Sequence, residues 1–325
     1  MQSFLDPAIL FFVFGILAGA LKSNLEIPAP ISRFLSLYLL MALGLKGGFA
    51  LAESGLTREV VLSLGLALLL AVLVPALGYL VLRRRIGGFD AAAIAATYGS
   101  VSAVSFITAT QYLGNQDIAY GGHMAAAMAL MESPAIIMAV LLANWVRKNQ
   151  RQAGMAPSKI NDAPLGKILH ESLTDGAQLL LLGAMAVGLL TGDAGQAALK
   201  PFSTDLFKGM LSFFLLDMGL AAARNMGGLR NQSPWLIVYA LASPLLHAGL
   251  ALGMAAALNL SVGDTALLMV LAASASYIAV PAVIRHAIPE ANPSLYLGMS
   301  LGLTFPFNIL LGIPLYTAVA QRVMS

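Results

Sequence analysis

Two stretches of this chain place hydroxyl side chains inside otherwise apolar runs. The first reads Thr97-Tyr98-Gly99-Ser100-Val101-Ser102-Ala103-Val104-Ser105-Phe106-Ile107-Thr108, and the second Ala273-Ser274-Ala275-Ser276-Tyr277-Ile278-Ala279-Val280-Pro281. Gly, Ser and Pro together make poor continuous helix. Backbone unwound at membrane depth survives only when buried in protein or lining a wet cavity. The N-termini of the resulting half-helices offer N–H donors and a positive dipole end, which suit an anion. Their C-termini and freed carbonyls suit a cation. A serine hydroxyl both donates and accepts, and is cheaper to bury than a charge. One serine is explained by close packing; two matching Ser-x-Ser pairs, Ser100/Ser102 and Ser274/Ser276, point to a site. Tyr277 either closes that site or packs beside it.

Three charged residues fall inside apolar runs, where charge is expensive. Glu132 precedes Ser133-Pro134 and is the best placed to ligate sodium or to support the broken backbone. Thr304 and Asn308 flank Pro306 in the matching position and can complete a cation shell. Lys46 and Asp217 either pair with each other, or Lys46 extends to the interface. The chain has no cysteine, and His123, His170, His247 and His286 lie too far apart for metal-ligand spacing. There are no paired carboxylates and no His/Asp/Ser constellation, so nothing marks an intramembrane enzyme.

The elements that must position these residues follow from composition. Hydrophobic residues make up 59% and charged residues 10%, with mean hydropathy +0.83. Soluble domains carry roughly 25% charge, so the main solvent here is lipid. Apolar runs predict an all-α membrane protein of ten spans, near 7–21, 29–51, 59–82, 90–112, 120–146, 173–191, 202–223, 234–258, 264–286 and 294–320. The first run reads as a span and not as a cleaved leader. Lys22, Arg83 to Arg85, Arg147, Lys148, Arg151, Lys159, Lys167, Arg224, Arg230 and Arg285 all fall on one side. Arg58, Lys200, Lys208 and Arg322 fall on the other, among most of the acids. The basic side is expected in the cytoplasm, with both termini outside and the protein in the cell inner membrane.

The halves match in order. Leu43-Gly44-Leu45 corresponds to Met218-Gly219-Leu220, Asp90-Ala91-Ala92 to Asp264-Thr265-Ala266, and Glu132-Ser133-Pro134 to Thr304-Phe305-Pro306. This predicts a five-helix repeat over 1–146, a polar cytoplasmic linker over 147–171, and a second repeat over 172–325. Five spans per unit is odd, so the second copy enters from the opposite side and the repeats are inverted. That is an architecture of secondary transporters, whose sites lie near the midplane where repeats meet.

The strings Ala273 to Ala279, Pro281 to Arg285, Pro289 to Tyr296, Gly302 to Asn308 and Gly312 to Tyr316 resemble the cyanobacterial-type sodium-dependent bicarbonate transporters. Gly44-Leu45-Lys46-Gly47-Gly48 and Tyr98 to Ser102 add to the resemblance, which runs essentially end to end. It implies a homotrimer of ten-helix subunits, each with core and gate domains and crossed, broken helices four and nine. It implies import of bicarbonate coupled to sodium as the coupling ion, with no cofactor, and for some members a PII-like regulator on the cytoplasmic face. Carried onto this chain, it puts bicarbonate at Gly99, Ser100, Ser102 and Ser105 with Ser274, Ala275, Ser276 and Tyr277. Sodium ligands would come from the same breaks, at Ser102, Thr108 and Ser276, joined by Glu132, Thr304 and Asn308. Lys46 replaces a small polar residue of the family, Glu132 a shorter acid, and the central linker is shorter. A symporter of small organic acids, a sodium/proton antiporter and a channel are the rival readings.

Overall fold

The computed structural model describes residues 6–55, 57–152, 176–226 and 232–324. These form helices and, among the described residues, no strand: α1 (Pro7–Ala20), α2 (Ala29–Ser54), α3 (Arg58–Leu82), α4 (Gly88–Gly99), α5 (Ala103–Asn115), α6 (Met124–Gln152), α7 (Gly176–Lys200), α8 (Phe207–Met226), α9 (Pro234–Leu258), α10 (Val262–Ala273) and α11 (Ala279–Ala287). A final helical run, α12 (Pro293–Met324), includes two π-helical stretches, Gly298–Thr304 and Asn308–Gly312.

Seven helical runs among the described residues are long and apolar enough to cross a membrane, against the ten spans expected. The difference has three physical sources. α1 has 14 residues, or roughly 21 Å at 1.5 Å per residue, less than the ~30 Å hydrocarbon layer. The ninth expected span is divided into α10 and α11, of 12 and 9 residues. Expected spans six and seven join into one helical stretch, Gly176–Met226. That stretch bends at Gly192, whose φ of 51° lies where glycine carries no Cβ penalty, next to the expected end of span six. α6 continues to Gln152, past the expected repeat boundary at 146. The rest of the expected linker, 153–171, lies outside the described residues.

Glycines set the closest helix contacts. A Cβ on Gly15 of α1 would sit 2.3 Å from the Leu216 carbonyl of α8, and one on Gly219 would sit 2.3 Å from the Phe12 carbonyl. In the α2–α7 pair, a Cβ on Gly44 would come within 2.4 Å of Leu181 O, and one on Gly48 within 2.1 Å of Met185 O. Gly44 and Gly219, aligned in sequence, thus let backbones touch in two different helix pairs. This is how helices associate where lipid supplies no hydrophobic drive between them.

Polar contacts sort into two ends. At one, Asp264 Oδ1 accepts from Gly121 N at 2.7 Å and Glu59 Oε1 from Ser261 N at 2.7 Å, while Lys208 pairs with Asp6 at 3.1 Å. At the other, Asp90 Oδ1 accepts from Asn292 N at 2.8 Å, and buried Arg147 holds Glu290 through two bonds of 3.1 and 2.9 Å. Asp90 and Asp264, aligned in sequence, each receive a backbone N–H from the loop before the last helix of the opposite half, α12 and α6 respectively.

Candidate functional site

The chain unwinds at both expected places. α4 ends at Gly99 and α5 begins at Ala103; α10 ends at Ala273 and α11 begins at Ala279. Each break bonds the other. Ser276 N donates to Thr97 O at 2.8 Å, and Ser102 N donates to Ser274 Oγ at 3.0 Å. Ser274 Oγ in turn donates to Leu271 O at 2.8 Å. Backbone groups that hydrocarbon would leave unpaired are therefore satisfied inside the protein.

Serines also cap the half-helices. Ser102 Oγ accepts from Ser105 N at 3.1 Å, as an N-cap should. Ser105 Oγ donates to Ser102 Oγ at 3.1 Å, and Ser102 Oγ lies 3.4 Å from the Tyr277 hydroxyl. Ser276 Oγ accepts from Val280 N at 3.2 Å. The first N–H groups of a helix have no acceptor in their own helix. Those of Ala103, Val104 and Ala279 belong to residues that line one cavity.

That cavity holds about 250 Å³. Its wall combines Ser102, Ser276 and Tyr277 at the breaks with Glu132 of α6 and Gln178 of α7. Gln178 Nε2 donates to Glu132 Oε2 at 2.6 Å. The cavity extends along α11 to Val283 and reaches Ser36 of α2. It thus runs from the breaks toward the end that carries Arg147, whose guanidinium donates to Ala287 O at 2.8 Å.

The structure gathers some expected site residues and separates others. Ser102, Ser276, Tyr277 and Glu132 share the cavity. Ser105 and Ser274 stand one bond behind Ser102. Gly99 faces Pro75, whose ring would lie 2.5 Å from an added Cβ, so packing explains it. Ala275 is buried in a core with Tyr98 and Val280. Ser100 is buried, and its hydroxyl has no partner among the described residues. Thr108 donates to Val104 O at 2.8 Å and lines a different cavity. Thr304 Oγ1 donates to Ala240 O at 2.7 Å, so the Tyr98 hydroxyl, 2.6 Å away, donates to it. Asn308 gives its amide to Ala273 O at 2.8 Å, closing the C-terminus of α10, and takes a bond from Tyr316.

The sequence reading missed Gln178, because one glutamine at the head of an apolar run carries no signal until a partner faces it. The pairing of Lys46 with Asp217 is not made. Asp217 accepts from Ser32, while Lys46 lies over the Phe207 ring at 4.0 Å. Ser32 and Lys46 are fourteen residues apart on α2, or about 21 Å, beyond the reach of one bridge. His123 is buried 3.2 Å from Asp264.

Two broken helices meeting at a cavity lined by serine hydroxyls and a carboxylate are a transporter's geometry. The model of the Na+-dependent bicarbonate transporter superfamily matches residues 7–321. The chain belongs to that superfamily. No curated protein matches it. Membership places this multi-pass helical protein among transporters, not among enzymes. As a superfamily member, its breaks fall within the matched residues, as do Glu132 and Gln178.

Proposed function

We propose that this protein imports bicarbonate across the inner membrane together with sodium, through the cavity between the two chain breaks. The observation that carries this reading is the shared wall. Helix N-termini and serine hydroxyls face the same 250 Å³ space as a carboxylate, Glu132. N–H donors from Ala103, Val104 and Ala279, with the Ser102 and Ser276 hydroxyls, suit the oxygens of a small anion. The Glu132 carboxylate opposes an anion unless a cation accompanies it. Sodium bound there raises anion affinity, and the anion raises sodium affinity by the same factor.

The scaffold reading belongs to the same proposal: inverted repeats over 1–146 and 172–325, the Arg147 end in the cytoplasm, both termini outside. The matched glycine contacts and the matched Asp90 and Asp264 bonds support it. Liposome uptake of labelled bicarbonate tests the function. Uptake is expected to collapse when choline replaces sodium and to fall in Ser102→Ala. Uptake indifferent to sodium would remove the coupling. Stronger competition by small carboxylates than by unlabelled bicarbonate would reassign the substrate to organic acids.

A further inference from the structure

A second cavity, of about 260 Å³, lies at the opposite end, between α1, α5, α8 and α12. Its wall includes Ala8, Thr108, Gln111, Lys208, Leu211 and Ile309. At its rim Asn115 Nδ2 donates to Asp6 Oδ2 at 2.8 Å, and Asp6 pairs with Lys208. Each of the four elements around it corresponds, under the proposed repeat, to an element of the first cavity's wall, which α5 and α8 also line. α1 stands for α7, α5 for α11, α8 for α2, and α12 for α6.

The second cavity stops short of the breaks. Thr108 is six residues along α5 from Ser102, about 9 Å. Rings occupy the gap. Phe12 is one turn of α1 deeper than Ala8, and Phe305 lies four residues before Ile309 in α12. Their centroids are 5.4 Å apart, edge to face, and Tyr277 follows at 5.1 Å from Phe305. Phe12 and Phe305 are 0% and 2% exposed. Tyr277 is also a wall of the first cavity. The stack therefore runs from one turn below Ala8 and Ile309 in the second cavity's wall to Tyr277 in the first cavity's wall.

We propose that the second cavity is the outer mouth of the permeation route, receiving the small anion, and that Phe12, Phe305 and Tyr277 are its gate. The conformation described is open toward the Arg147 end and closed toward the Asp6 end. Opening the second mouth requires the Phe12–Phe305 contact to part. It also requires the Asn115–Asp6 bond, which ties α5 to the head of α1 at the rim, to break. Lys208, released from Asp6, then faces the mouth as a cation for the arriving anion. This rests on the transport reading.

The chain has no native cysteine, so single cysteines report without background. A membrane-impermeant thiosulfonate is applied to either face of oriented vesicles holding the full-length protein. Gln111→Cys should react only from the face bearing Asp6, and Ser36→Cys only from the opposite face. Ala103→Cys, in the first cavity, should react poorly from the Asp6 face. An alternate state of a transporter is typically populated at 10% or less, so Phe12→Ala should speed that reaction about tenfold. Labelling of Gln111→Cys and Ser36→Cys from one face would overturn the proposal, as would an unchanged Ala103→Cys rate in the Phe12→Ala background. These readouts do not need bicarbonate to move. A protein that labels as expected but fails in uptake would sink the substrate assignment and spare the gate.

Discussion

Ser274 offers the sharpest test of how the two breaks hold each other. Its hydroxyl accepts from Ser102 N at 3.0 Å and donates to Leu271 O at 2.8 Å, at a residue 1% exposed. Ser274→Ala removes both bonds. The consequences differ for the two partners. Leu271 O keeps the Ser274 backbone N–H at 3.2 Å, so it is not orphaned. Ser102 N loses the one acceptor the structure gives it. An orphaned buried donor costs about 1–3 kcal/mol. That is about a 5- to 150-fold shift between pinned and unpinned arrangements of the break. Apparent affinity falls with the competent fraction, so the KM for bicarbonate in liposome uptake should rise several-fold at least. The apparent melting temperature in detergent should drop as well. Ser274→Thr, which keeps a hydroxyl, should recover part of both. An alanine variant with wild-type KM and wild-type melting would refute the idea that this hydroxyl pins the site.

Other expectations follow from contacts already described. Glu132→Gln keeps an oxygen for the Gln178 amide but removes the charge, so uptake should lose its dependence on sodium concentration; an unchanged sodium titration would exclude Glu132 as the coupling carboxylate. Arg147→Met removes the guanidinium that holds Glu290 through two bonds; Glu290 is 20% exposed, so the cost should stay below the about 3–5 kcal/mol of breaking a fully buried pair, and thermal unfolding should register it and Arg147→Met/Glu290→Gln partly restore it. Gly219→Ala forces a methyl to within 2.3 Å of the Phe12 backbone carbonyl. Overpacking of this kind costs about 1–3 kcal/mol, so the melting temperature should fall, whereas Gly249→Ala, with open space around it, should leave it unchanged.

The breaks were legible in sequence because Gly99, Ser100 and Pro281 are written in residue types that interrupt helices. The order of helices was legible for the complementary reason: long apolar runs admit few other readings. What stayed hidden depends on which helices touch. Thr108 shares a motif with Ser102, yet lies about two turns away on the face of α5 that meets α1 and α12. Arg147 counted as a loop charge, but is 2% exposed and bonded to a loop more than a hundred residues later. The π-helical stretches around Pro306 carry no pattern of their own, because the departure from α geometry is settled by packing. Thr304 and Asn308 sit in this irregular region, and the structure turns both toward neighbouring backbone carbonyls, Ala240 O and Ala273 O.

Size and charge together explain why such a site would couple two ions instead of carrying one. A compact cavity of about 250 Å³ is roughly 8 Å across, so about 6 Å is a representative separation between an anion inside it and an ionised Glu132. At an effective dielectric constant of about 20, two like charges at that distance repel by about 3 kcal/mol. The penalty corresponds to about a hundredfold loss of anion affinity when the anion enters alone. A cation held between them reverses the sign of the interaction with each. The helix N-termini cannot do this unaided, since each termination contributes only about half a charge, and both are already partly engaged by Ser102 and Ser276. Under the proposed function, the carboxylate that looks misplaced in an anion site would then be what makes sodium obligatory.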